Sequence, residues 1–132
     1  NPETNTWTAI APMKYRRCRF GAAVYDGQIY VAGGFDGASF LRDVERYDPQ
    51  TDTWNSLKSM KERRTRATMA VSCGKIFVFG GFDGMNNVSS VEMYDPETNT
   101  WVYKTEMPVH QGGIFVGSVL IPTLEDDDDF TA

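Results

Sequence analysis

Short apolar runs, separated by polar or glycine-containing turns, recur along the chain. Runs of this kind that are rich in β-branched and aromatic residues predict strands. The predicted strands lie at 21–25, 28–32, 44–47, 53–57, 69–72, 75–79, 91–94 and 100–103. Asp26-Gly27 indicates a two-residue type I′ hairpin turn, and Cys73-Gly74 takes the same place in the second group of strands. No segment has a long apolar stripe with a period of 3.6 residues, so we expect an all-β chain with few helices.

The pattern is periodic, with an interval of 47 residues. This interval separates three tryptophans and three methionines: Trp7, Trp54 and Trp101, and Met13, Met60 and Met107. When residues 7–53 are aligned with residues 54–100 without gaps, 23 of the 47 positions are identical. Four short antiparallel strands in each period is the size of one β-propeller blade. Because a single blade cannot bury both of its faces, such blades stack against one another.

Matched large and small residues support this stacking. We expect two aromatic pairs to fill the gaps between blades, namely Tyr47 with Trp54 and Tyr94 with Trp101. Paired glycines at 33–34 and 80–81 would let backbones approach closely near the propeller axis, where a Cβ atom would clash.

The repeat unit resembles the kelch repeat in the order of its motifs, Met-x3-Arg, then Asp-Gly-x-Ile-Tyr-Val-x-Gly-Gly-Phe-Asp-Gly, then Val-Glu-x-Tyr-Asp-Pro-x-Thr-x-Thr-Trp. The resemblance covers residues 1 to about 121. It implies a kelch β-propeller fragment with two complete four-stranded antiparallel blades and partial first and last blades. Residues 17–23, 89–98 and 110–117 further resemble the BTB–kelch adaptors of cullin-3 ubiquitin ligases. That resemblance implies a substrate-recognition role, with cullin-3 bound only through a BTB region that this chain lacks.

The period also predicts the boundaries of the units. We expect the end of a truncated blade at 1–13, kelch repeats at 14–60 and 61–107, a closing strand at 108–121 and an acidic disordered tail at 122–132. The resemblance implies a ring of six blades, so we interpret the chain as a C-terminal piece of a longer protein. An alternative is a short product of which, for example, three copies form one ring. In either case exposed blade faces favour association with remaining blades or with other copies.

Charge and cysteine content narrow the classes of partner. The formal net charge is −5, but residues 125–129 are all acidic, and without them the chain has 13 basic and 13 acidic residues. This balance disfavours nucleic-acid binding. No apolar stretch approaches the ~18 residues of a membrane span. Cys18 and Cys73 fit no metal or redox spacing, so we expect free thiols and a cytoplasmic location.

Two equivalent loops, 14–19 and 61–66, carry eight of the 13 basic side chains. These are Lys14, Arg16, Arg17, Arg19, Lys61, Arg63, Arg64 and Arg66. Guanidinium groups recognise carboxylates and phosphates bidentately, so the loops predict a preference for an acidic or phosphorylated peptide. Arg17 and Arg64 stand at a consensus position of the repeat, and the alternative for them is that they only hold the loop in place.

A second rim loop follows each glycine pair. In the adaptors that this chain resembles, substrate peptides dock on the face formed by this loop and the basic loop. The candidate partner-binding residues are Arg16, Arg19, Phe35, Ser39, Phe40, Arg63, Arg66, Phe82, Asn86, Asn87 and His110. The alternative for Phe35 and Phe82 is that they cover the rim of the core. We expect His110 to be an ordinary surface residue, and the alternative is that it contacts the partner. The third period has Gln111 at the position of the matched arginine.

The residue inventory argues against an enzyme. One histidine and two separated cysteines cannot build a usual transition-metal site, and the chain has no phosphate-binding glycine loop or nucleophile motif. We therefore expect no catalytic residue, no metal and no cofactor. The alternative function is that of an actin-binding or cytoskeletal scaffold, since some kelch proteins bind actin; a propeller enzyme would need residues from missing blades.

Overall fold

A computed structural model of the chain describes residues 1–109 and 116–117. In this part of the chain all regular secondary structure is β-strand. The strands are β1 (Gly21–Tyr25), β2 (Gln28–Ala32), β3 (Val44–Asp48), β4 (Thr53–Leu57), β5 (Thr68–Ser72), β6 (Lys75–Phe79), β7 (Ser90–Asp95) and β8 (Thr100–Glu106). The described residues include no helix with the length and apolar character of a membrane span.

The strands form two four-stranded antiparallel sheets, in the orders β1-β2-β3-β4 and β5-β6-β7-β8. We call them the first blade and the second blade. Each strand pairs with the next one along the chain. Short turns close the first and third pairs of each blade, and longer loops, 33–43 and 80–89, join the middle pairs. Asp26 and Gly27 both have positive φ, +50° and +70°, as a type I′ turn requires. The prediction of two complete blades is confirmed.

The strand boundaries agree with the sequence prediction except at the ends of some strands. The largest difference is in β8, which is predicted to end at residue 103 but continues to Glu106. A bulge at Lys104 of β8, opposite Val91 and Glu92 of β7, shifts the register within this longer pairing.

The buried core lies between the two blades. Tyr30, Ala32 and Val44 of the first blade belong to the same buried cluster as Ile76 and Tyr94 of the second blade. The rings of Tyr30 and Tyr94 are 6.2 Å apart across this interface. Burial of one large apolar side chain stabilises a fold by about 1.5–3 kcal/mol, so contact between the blades is a large part of the stability.

The segment before the first blade forms no strand. The sequence predicts the end of a truncated blade over residues 1–13, and this boundary stays a prediction. In the structure the segment has no strand ladder, and its Trp7 is fully exposed. The predicted boundaries at 108–121 and 122–132 fall almost entirely outside the described residues.

Candidate functional site

Arg17 holds the rim of the first blade from inside. Its side chain is buried, and Nη1 donates hydrogen bonds to the carbonyl oxygens of Gly33, at 2.7 Å, and Asp43, at 3.0 Å. Nη2 lies 2.6 Å from Oε2 of Glu45. The guanidinium therefore ties the basic loop to the end of β2 and the start of β3.

Arg64 does the same in the second blade and is 0% exposed. Its Nη1 donates to the carbonyl oxygens of Gly80, at 2.8 Å, and Ser90, at 2.7 Å, and its Nε donates to Glu92 at 3.1 Å. Both consensus arginines therefore hold their loops in place, which is the alternative to a role in binding.

Two buried glutamates complete this arrangement, and sequence reasoning assigned them no role. Glu45 and Glu92 accept hydrogen bonds from the backbone N–H groups of Lys14 and Lys61, each at 2.7 Å, where the basic loops begin. The available signal was the recurrence of glutamate at one matched position of the two strands, 47 residues apart. Each glutamate therefore fixes the start of its basic loop.

A groove lies on the rim where the first and second blades meet. Its volume is about 390 Å³. The lining residues are Cys18, Arg19, Phe35, Phe40, Thr65, Arg66 and Phe82. Five of the predicted binding residues therefore come together here, from four different loops.

Backbone geometry presents the two arginines of the groove in the same way. Arg19 and Arg66 both have a φ of +55°, and the N–H of Arg66 donates to the carbonyl oxygen of Arg19 at 2.7 Å. Behind Arg19, the backbones of Cys18 and Phe35 exchange two hydrogen bonds of 2.9 and 3.0 Å, and an equivalent pair forms in the second blade. The basic loop and the second rim loop of each blade are thus joined directly.

Three phenylalanine rings form a continuous apolar surface in the groove. Phe40 lies 5.0 Å from Phe35 and 5.7 Å from Phe82, measured between ring centroids. It crosses the blade junction, because a Cβ on Gly84 of the second blade would lie 2.6 Å from its ring. The guanidinium of Arg66 is 5.3 Å from the centroid of Phe82. All three rings are half-buried, so they cover the edge of the core and also line the groove.

The groove carries positive charge that the described residues do not neutralise. Within these residues, the guanidinium groups of Arg19 and Arg66 make no hydrogen bond and no ion pair. The acidic residues that directly follow Phe35 and Phe82, Asp36 and Asp83, accept hydrogen bonds from backbone N–H groups of their own loops. These hydrogen bonds hold the pKa of both carboxyls below its ordinary value. The acids are engaged locally, so neither arginine of the groove is paired with an acid of the described residues.

Two predicted residues lie elsewhere on the rim. Arg63 donates from Nη1 to the carbonyl oxygen of Phe40 at 2.7 Å, and so ties the second blade to the first. Together with Asn87 it lines a separate cleft of about 470 Å³ that also contains Glu62, Asp83 and other residues.

The remaining predicted residues do not line the groove. Arg16, Ser39 and Asn86 are exposed in the loops around it. His110 lies outside the described residues. A binding role for all eleven candidate residues stays a prediction. In the part of the chain that the structure describes, no group of three His, Cys, Asp or Glu side chains could hold a metal ion.

A second recurring feature lies on the outer edge, where the chain passes from one blade to the next. Nε1 of Trp101 donates to the carbonyl oxygen of Lys58 at 2.7 Å, and Oδ1 of Asn99 accepts from the N–H of Lys58 at 3.0 Å. The hydroxyl of Tyr94 donates to the same Oδ1 at 2.9 Å. We call this pair of side chains the linker clamp. It consists of a tryptophan indole and of the carboxamide or carboxylate two residues before it.

The first blade has the same linker clamp on Ala11. Nε1 of Trp54 donates to the carbonyl oxygen of Ala11 at 2.7 Å, and Oδ1 of Asp52 accepts from its N–H at 2.9 Å. From the sequence, packing between blades is the only role predicted for Trp54 and Trp101. The signal for the clamp was the recurrence of Asp or Asn two residues before each tryptophan.

Replacement of Asp52 tests the linker clamp. Hydrogen bonds from Ala11 and Tyr47 hold the pKa of Asp52 below its ordinary value, so the stabilisation is present above about pH 4 and is lost as pH falls further. We expect Asp52→Ala to lower the Tm by several degrees, whereas Asp52→Asn keeps the clamp, since Asn99 already serves in the second blade. Thermal melts from neutral to acid pH measure both effects. Equal Tm values for the two variants would contradict the clamp.

These features define the class of protein. Successive four-stranded antiparallel sheets of one repeated sequence, packed face to face, are the blades of a β-propeller. The sequence profile described as "Kelch motif" matches residues 16–61 and 63–108, which is more than half of the chain. The chain belongs to the kelch-repeat family.

Comparisons with individual proteins agree with this assignment. Kelch-like protein 28 of Mus musculus is 45% identical over 42 residues, which are 32% of this chain and 7% of that protein. Kelch-like protein 23 of Homo sapiens is 44% identical over 50 residues, 36% of this chain and 9% of that protein. Spermatocyte protein spe-26 of Caenorhabditis elegans is 44% identical over 48 residues, 36% of this chain and 8% of that protein. The matched segments span less than a tenth of these relatives, and the kelch-like relatives support a role as a protein-interaction domain.

A solved structure titled "Structure of YjhT" matches with a TM-score of 0.71 and 23% sequence identity. The match covers 78% of this chain and 42% of that one. At this level of identity the likeness concerns the fold, and it supports the propeller architecture.

Proposed function

We propose that this chain is the substrate-recognition part of a BTB–kelch adaptor for cullin-3 ubiquitin ligases, and that its rim groove binds an acidic or phosphorylated peptide. The match to kelch-like proteins supports the adaptor class. Within that class, the resemblance of residues 17–23, 89–98 and 110–117 is to kelch-like protein 18. Cullin-3 would bind through a BTB region outside this chain, and the adaptor would act in the cytoplasm.

The observation that carries the proposal is the pair of arginines above an apolar surface. Arg19 and Arg66 come from adjacent blades, and neither guanidinium is paired with an acid of the described residues. An arginine fork binds a carboxylate or a phosphate through two parallel hydrogen bonds. The adjoining rings of Phe35, Phe40 and Phe82 supply the apolar contact that anchors peptides at protein interfaces.

Substitution of both groove arginines tests the proposal. The probes are a labelled peptide rich in aspartate and glutamate, its phosphoserine counterpart, and a peptide with asparagine and glutamine in place of the acids. Hydrogen bonds to charged groups contribute about 1.5–3 kcal/mol each, so Arg19→Ala with Arg66→Ala should weaken binding of the charged peptides at least about tenfold. Fluorescence anisotropy at two salt concentrations measures the loss and the reduced salt dependence.

Arg42→Ala is the matched control, because Arg42 is also an exposed arginine but lies outside the groove. It should leave the affinity unchanged. Charged-peptide binding that survives the double substitution would contradict the proposed site. Co-sedimentation with F-actin distinguishes the scaffold function, since pelleting that is insensitive to the groove substitutions would favour that alternative.

A further inference from the structure

Arginine and phenylalanine side chains meet in the groove at the blade junction. Its lining includes two arginines, Arg19 and Arg66, and three phenylalanines, Phe35, Phe40 and Phe82. No aspartate or glutamate of the described residues lines it. A ligand that complements this surface therefore needs negative charge and an apolar group close together.

Hydrogen bonds hold the backbones of the two arginines side by side. The carbonyl oxygen of Arg19 accepts the N–H of Arg66 at 2.7 Å and the hydroxyl of Thr65 at 3.3 Å. Both arginines have a φ of +55°, so their side chains enter the groove from neighbouring points. A phosphate monoester carries about −1.5 to −2 charge at neutral pH and three acceptor oxygens, whereas a carboxylate carries one charge and two oxygens. One phosphate therefore matches the two arginines better than one carboxylate.

The aromatic rings lie directly beside this positive charge. The guanidinium of Arg66 is 5.3 Å from the ring centroid of Phe82. The ring of Phe40 lies 5.7 Å from that of Phe82 and 5.0 Å from that of Phe35, within the range at which aromatic rings attract one another. All three rings are half-buried, so part of each is exposed to a ligand. A ring on the ligand can therefore join this cluster.

Phosphotyrosine combines both requirements in one side chain, because its phosphate is joined directly to an aromatic ring. Aspartate, glutamate and phosphoserine have short side chains that carry charge but little apolar surface. We propose that the groove selects peptides containing phosphotyrosine, with the phosphate bound by Arg19 and Arg66 and the ring packed on the phenylalanines. This inference rests on the proposed function, since it names the class of peptide that the same groove binds.

Peptides that differ at one position measure the selectivity. The flanking residues are asparagine and glutamine, and the central residue is phosphotyrosine, phosphoserine, glutamate or tyrosine. In fluorescence anisotropy, we expect the phosphotyrosine peptide to bind this chain at least about tenfold more tightly than each of the other three. Arg19→Lys should weaken its binding although the charge is kept, because lysine lacks the two-pronged geometry of the guanidinium.

Two ring substitutions test the aromatic contact. Phe35→Leu and Phe40→Leu each keep an apolar side chain but remove the ring, so each should weaken phosphotyrosine binding severalfold. Binding of the phosphoserine peptide should stay unchanged, which also shows that the groove is still folded. Phe77→Leu is the matched control, because Phe77 is also half-buried but lies outside the groove. It should change neither affinity.

The outcomes separate this inference from the proposed function. If the phosphotyrosine peptide binds no more tightly than the phosphoserine or the tyrosine peptide, the inference is wrong, while arginine-dependent binding of acidic peptides would still support the proposed function. A phosphotyrosine preference that persists in both leucine variants would also overturn the inference. If no charged peptide depends on Arg19 and Arg66 for binding, both the inference and the proposed function fail.

Discussion

Replacement of Arg64 by methionine is expected to destabilise the chain by about 3–5 kcal/mol, the range observed when one partner of a buried ion pair is removed. Arg64 and Glu92 are both 0% exposed, and their charged groups are 3.0 Å apart. Without the guanidinium, the Glu92 carboxylate stays in the interior with no opposite charge. The carbonyl oxygen of Gly80 loses its side-chain donor as well, and that of Ser90 keeps only the N–H of Gly80. Because most single domains are stable by only 5–15 kcal/mol, this loss is a large part of the total.

Urea denaturation measures this change in the free energy of unfolding. The control is the adjacent residue. Arg63→Met should cost less than about 1 kcal/mol, because that side chain is exposed and loses only one solvent-exposed hydrogen bond, to the carbonyl oxygen of Phe40. The double variant Arg64→Met with Glu92→Met should recover part of the loss, since it removes the unpaired charge. A small effect of Arg64→Met alone would show that the buried pair does not hold the loop.

Replacement of Gly33 by alanine is expected to cost about 2–5 kcal/mol, through two separate effects. Gly33 has a φ of +66°, a conformation that costs an L-residue roughly 1–2 kcal/mol. A Cβ at this position would also overlap the carbonyl oxygen of Arg64, which belongs to the neighbouring blade. That oxygen accepts a hydrogen bond of 2.8 Å from Gly34, so it cannot move away freely. Forced overpacking of this kind typically adds about 1–3 kcal/mol.

Gly27 provides the matched control, since it has a φ of +70° but an added Cβ would meet nothing within 4 Å. Gly27→Ala should therefore lower the free energy of unfolding only by the cost of placing an L-residue at positive φ. The difference between the two variants in urea denaturation isolates the contact between the blades. If the two substitutions cost the same, glycine would be needed at position 33 only for the backbone conformation, and not for packing against the second blade.

The sequence predicted the groove in part. Repeat equivalence and the kelch resemblance together selected Arg19, Arg66 and the three phenylalanines, which do come together. The same reasoning also selected Asn87, which lines a different cleft, and it left the role of the consensus arginines open. Equivalence by repeat places residues at the same position in each blade. It does not specify which of them meet across the junction between blades.

Sequence alone determined the strands, the hairpin turns and the period of the chain, because alternation, β-propensity and turn residues act within a few neighbouring positions. Only the tertiary structure decided which arginines are exposed and which are buried. Arg64 and Arg66 are two positions apart, yet one binds a glutamate of β7 and the other faces a groove made with the first blade. Burial and pairing depend on atoms that folding brings from distant parts of the chain, and no local pattern records them.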